Sequence, residues 1–208
     1  MRRLFTAVTA VAGIIALACA QDSPLSLRET LQFAAGEHGE HGLPAGRRLT
    51  LAQAPDYATL DDAGASGNPG GALKLSVDAA GAIPRFPDAF IEENPVFGYA
   101  WADLDTGAGI VAVIHPAIGR DSRQNPDGWH THPVVLSGGE NFDFCVESIG
   151  GSQAGIAIRA TVLEVNMAAR QAGLSAADLD VAAAFVVQGD GDCVTTELGV
   201  EVLDAVPL

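Results

Sequence analysis

Val96-Phe97-Gly98-Tyr99-Ala100-Trp101-Ala102-Asp103-Leu104-Asp105-Thr106-Gly107-Ala108-Gly109-Ile110-Val111-Ala112-Val113-Ile114-His115 decides the fold. Two apolar runs, rich in β-branched and aromatic residues, flank Asp105-Thr106-Gly107-Ala108. The runs have strand length, and the stretch between them has the residue types of a hairpin turn. The same pattern recurs downstream. It predicts strands over 72–77, 96–104, 109–115, 130–136, 143–148, 155–160, 161–167, 181–188 and 198–203, separated by Gly, Pro, Asn and Asp. Ser175-Ala176-Ala177-Asp178 reads as a capped helical turn, and Gly189-Asp190-Gly191-Asp192 as a tight connection. The expected fold is all-β: an antiparallel β-sandwich, Greek-key or jelly-roll in style, over residues 72–208.

Upstream the character of the chain changes. Arg2 and Arg3 precede an apolar run that ends in Ala18-Cys19-Ala20. This is the pattern of an export signal peptide over 1–20. Ala16-Leu17-Ala18-Cys19 also resembles a bacterial lipobox, which would put a lipid anchor on Cys19, and Arg2-Arg3 is similar to part of a twin-arginine signal. Residues 21–71 read as an N-terminal arm and linker. Within them Ser26-Leu27-Arg28-Glu29 is a capping box opening a short helix over 26–35. Residues 61–71 are dominated by small and turn-forming types, as a linker is. The expected location is therefore periplasmic, cell-surface or extracellular, with membrane attachment only through a lipid on Cys19.

The formal charge is −15, and loss of Arg2 and Arg3 with the tag makes it −17, because the first twenty residues hold no acid. Such a surface repels nucleic acid and anionic headgroups, and it concentrates cations near any acidic cleft. The 48% hydrophobic content supports a packed core. In an exported domain, the two cysteines of the body, Cys145 and Cys193, most simply form one disulfide.

Gly128-Trp129-His130-Thr131-His132-Pro133 is the sharpest chemical signal. On a strand, residues two apart share a face, so His130 and His132 present their imidazoles side by side. Pro133 favours an extended His132. His115 ends a second predicted strand and becomes the third ligand if that strand lies alongside. Three neutral imidazoles suit copper or zinc. Asp127, Glu140 or Asp143 are candidates to add an oxygen or to orient a ring. The competing reading makes the pair surface or structural histidines. Glu37-His38-Gly39-Glu40-His41 has cation-binding residue types, yet reads foremost as a solvated turn. Asp190 and Asp192 lack the further acid of a calcium loop. Glu92 and Glu93 are adjacent and do not form a working acid pair. No Gly-x-Ser-x-Gly elbow, phosphate loop or dinucleotide fingerprint is present.

Residues 128–132 resemble the His-x-His strand motif of copper/zinc superoxide dismutases, which lies on a Greek-key β-sandwich. That site requires further histidines downstream, and this sequence has none after His132. The cupin motif is similar around His-x-His but places a glutamate where Val135 and Leu136 stand here. Blue-copper proteins need a histidine after a C-terminal cysteine, and none follows Cys193. No family is identified. The leading expectation is an exported acidic β-domain that binds copper or zinc through His130, His132 and His115 without catalysis. One alternative is an extracellular interaction module, with a protein or glycan partner and incidental histidines. Another is a metal-dependent oxidoreductase or hydrolase.

Overall fold

The computed structural model describes residues 54–67, 71–94, 96–115, 128–151, 154–189 and 193–208. Its strands are β1 (Leu60–Gly67), β2 (Ala72–Ala79), β3 (Val96–Ala102), β4 (Ala108–Ile114), β5 (His130–Gly138), β6 (Phe144–Ile149), β7 (Gly155–Arg159), β8 (Val162–Ala168), β9 (Val181–Gly189) and β10 (Leu198–Pro207). Two short helices, α1 (Ala89–Glu93) and α2 (Ala169–Ala172), lie in the connections. Asp88 caps α1 by accepting from the Ile91 amide at 3.1 Å. A turn at Ala176–Asp178 follows Ser175, whose amide and hydroxyl both donate to the Asp178 carboxylate.

All strand pairs are antiparallel, so the all-β expectation holds. The expected open sandwich is instead a closed six-stranded barrel, β10-β6-β5-β4-β3-β9, backed by a four-stranded sheet, β1-β2-β8-β7. The burial patterns explain why both layers exist. β2 alternates exposed and buried positions, as a strand with one wet face does. β4 and β9 are nearly continuously buried, so each is covered on both sides. On the outer face of the barrel, Phe97, Tyr99, Trp101, Ile110, Ile114 and Val186 pack against Leu73, Leu75, Leu163 and Val165 of the backing sheet. On the inner face, Val111, Val113, Val134, Phe144, Phe185 and Val200 form a second cluster. Two separate apolar stripes on the same strands therefore build two cores.

Closure occurs at β6 and β10, where only Cys145–Gly199 and Phe144–Val200 are paired. The Cys145–Cys193 disulfide lies at this seam, with Cα atoms 5.3 Å apart across 48 residues of sequence. Side chains reinforce the seam: the Val202 amide donates to Asp143 at 2.8 Å, and the Thr195 hydroxyl donates to Glu147 at 2.6 Å.

Residues 61–67, expected as linker, belong to β1 and pair with β2 from Leu60–Ala79 to Gly67–Leu73. β1 is an edge strand and largely exposed, so it needs backbone pairing more than large side chains, and small residues satisfy it. The export signal over 1–20, the helix expected over 26–35, and His38 and His41 lie outside the described residues.

Candidate metal centre

The register of β4 and β5 brings the histidines together. Val113 lies opposite His130, and Val111 opposite His132. Opposed residues share a face, so both imidazoles project to the barrel interior alongside these valines. His115 continues the Val111–Val113 face and lines the same cavity as His132. His115, His130 and His132 are 6, 3 and 7% exposed, so none is a surface histidine.

Their rings form a continuous row. His115 and His130 meet edge to face with centroids 4.7 Å apart, and His130 and His132 do so at 5.0 Å. The Nε2 atoms of His115 and His130 are 3.0 Å apart. His130 Nδ1 lies 2.9 Å from the Gly128 carbonyl, and His132 Nδ1 lies 2.8 Å from the Gly150 carbonyl. A carbonyl only accepts, so each of these Nδ1 atoms carries the hydrogen. Nε2 of each neutral ring is then a bare nitrogen, able to accept or to ligate. Without a metal, His115 donates through Nε2–H to His130 Nε2, and the row is a satisfied polar network. Among the described residues, no three His, Cys, Asp or Glu side chains already gather their donor atoms in a form that holds a cation.

The residues around the row serve to place it. Trp129 stacks flat on Tyr99, with centroids 5.5 Å apart and planes 4° from parallel, and donates from Nε1 to the Pro84 carbonyl at 2.7 Å. Tyr99 in turn donates its hydroxyl to the Tyr57 carbonyl at 2.6 Å, and burial pushes its ionisation well above the ordinary tyrosine range. The chain on either side of Trp129, Gly128 and His130, is thereby anchored to the outer core. Gly150 fixes the other carbonyl. Its amide donates to the Pro133 carbonyl at 2.8 Å, and a Cβ there would fall 2.5 Å from Pro133 Cγ. Only glycine allows this close approach without displacing the proline ring.

Among the described residues, the carboxylates considered from the sequence do not join the row. Asp143 binds the Val202 amide at the closure seam, beyond the far end of β5 from His130. Glu140 is exposed in the connection between β5 and β6. Asp127, Asp190 and Asp192 lie outside the described residues. Glu92 and Glu93 sit on α1, exposed, rather than on a strand. Sequence reasoning missed the two carbonyls that orient the rings, and also the cavity they face. That cavity has a volume of about 390 Å3 within the histidine half of the barrel.

These features define a closed antiparallel β-barrel with a row of buried imidazoles at one end of its interior. No family model, curated protein or solved structure matches the chain.

Proposed function

We propose that the protein is an exported, acidic, disulfide-bonded β-barrel domain that binds one copper or zinc ion through His115, His130 and His132. Its role is to hold the ion rather than to turn over a substrate. The observation that carries this reading is the 3.0 Å separation of His115 Nε2 and His130 Nε2, with His130 and His132 each tied through Nδ1 to a backbone carbonyl. Two nitrogens about 2.0–2.1 Å from one metal lie roughly 2.9 Å apart at a right angle and about 3.3 Å at the tetrahedral angle. The observed spacing falls within that span. A ligating histidine characteristically donates its other ring nitrogen to a carbonyl or carboxylate, as His130 and His132 do. Binding requires the His115 hydrogen to move from Nε2 to Nδ1 and the His132 ring to turn its Nε2 toward the pair. The disulfide fits an oxidising compartment, as export through residues 1–20 would supply.

Calorimetric titration of the purified protein with zinc and with copper(II) tests the proposal. One equivalent should bind in the wild type, with affinity at least tenfold lower in His115→Ala, His130→Ala and His132→Ala. Equal binding by all four proteins, or none by the wild type, would remove it.

A metal-dependent oxidoreductase or hydrolase is a second reading, favoured by the cavity lying directly against His115 and His132. It predicts an open coordination position. Fast exchange of a copper-bound water, read as raised water-proton relaxivity of the loaded protein, supports the enzyme. Relaxivity no higher than that of a fully coordinated copper complex supports pure binding.

A further inference from the structure

The two halves of the barrel interior are filled differently. At the end away from the histidines, Phe144, Val181 and Val202 leave a void of only about 30 Å3. Phe185 lines both that void and the cavity of about 390 Å3 in the histidine half, and so lies between them. Its ring is seated over Gly98, where a Cβ would come within 2.8 Å of Phe185 Cζ. Above this floor the wall is made of short side chains, among them Ala100, Val111, Val113, Val134 and Val200. A larger side chain at any of these positions would narrow the space. The unfilled volume lies within the range of pockets that take small molecules.

The geometry points to this cavity as a binding site for a small uncharged apolar molecule, of the size of a bicyclic aromatic or a short terpene-like aliphatic. Among the described residues, the only polar side chains lining the cavity are His115 and His132, and no lysine or arginine lines it. An anion would therefore enter without a fixed counter-charge, into a protein whose formal charge is −15. A hydrocarbon body meets the valine and phenylalanine walls, and a single hydroxyl or amine faces the histidine end. The site rests on the shape and chemistry of the walls and does not require a metal.

The probe is N-phenyl-1-naphthylamine, uncharged and fluorescent in apolar surroundings, titrated into the purified full chain in excess chelator. The expected result is a saturable, blue-shifted enhancement at one equivalent, reversed by 1-naphthol and at least tenfold less readily by 1-naphthoate. Ala100→Leu and Val200→Phe, from the two strands that flank β9, should each weaken the probe at least tenfold while the circular dichroism is unchanged. Val135→Ser, on an exposed position, should leave affinity within twofold of wild type. No saturable enhancement in the wild type, undiminished binding in a folded cavity-filled variant, or competition by 1-naphthoate equal to that by 1-naphthol would overturn the assignment. Working in chelator separates it from the metal proposal: a protein that binds zinc but not the probe loses only this inference, and the converse loses only the other.

Discussion

At the residue scale, the chemistry is set by two glycine carbonyls as much as by the imidazoles. Gly150 brings its carbonyl within 2.8 Å of His132 Nδ1 because Pro133 can pack where a Cβ would stand. Gly150→Ala is expected to displace that carbonyl, release the ring and weaken zinc binding about 10–100-fold, as measured by titration against a competing chelator. Thr131 gives the opposite expectation. It lies between the histidines on the other face of β5, its hydroxyl fully buried and without a hydrogen-bond partner among the described residues. Thr131→Val removes that cost and should raise unfolding stability by about 1 kcal/mol in a denaturant titration, with metal affinity unchanged. The histidine pair was legible in the sequence because the two-residue period of a strand dictates a shared face. The role of Gly150 was not, because it depends on the pairing of β5 with β6, a contact that no local pattern specifies. The expected oxygen from Asp143 failed for a related reason: its place at the seam follows from barrel closure.

The seam between β6 and β10 is the weakest lateral contact at the scale of elements, with two paired positions against nine between β9 and β10. The disulfide at this seam ties Cys145 of β6 to Cys193, shortly before β10 begins. In the chain-entropy model a 48-residue loop corresponds to about 4 kcal/mol of stabilisation. The double variant Cys145→Ser, Cys193→Ser should lose about 2–5 kcal/mol in chemical denaturation. Its amide exchange should accelerate first at Phe144–Ile149, before β3 or β9 is affected. Acid should act on the same contact. Hydrogen bonds from Ser137 and Thr195 hold the Glu147 carboxyl below its usual range. The lowered folded value means that this contribution is present above the ordinary glutamate pKa and is lost as pH falls through the folded one. Thermal melts below the ordinary carboxylate range should therefore lose stability more steeply in the wild type than in Glu147→Gln. An equal slope in both would show that the carboxylate is idle. Strand positions were largely legible because apolar runs and turn residues alternate along the chain. β1 was hidden because an exposed edge strand of Asp, Ala, Gly and Ser has the composition of a linker.

For the whole molecule, the near-continuous burial of β4 and β9 records a strand pressed between two cores, and this separates a backed barrel from a simple sandwich. The apolar runs were visible in the sequence. Closure was not, because it rests on the pairing of β6 with β10, distant in sequence. The same closure creates the interior into which His115, His130 and His132 project, so the proposed metal centre is a property of the assembled barrel. A bound ion that contacts only the folded state should raise the melting temperature, and chelation should reverse the rise. Long-range proton–nitrogen NMR of the histidine side chains, recorded before and after one equivalent of zinc, tests the centre most directly. The Nε2 resonances of His115, His130 and His132 should move together to metal-coordinated values while Nδ1 of His130 and His132 stays protonated and the His115 hydrogen moves from Nε2 to Nδ1, with His38 and His41 unmoved. Spectra in which these three rings do not respond, or in which only His38 and His41 do, would contradict a metal centre in the barrel.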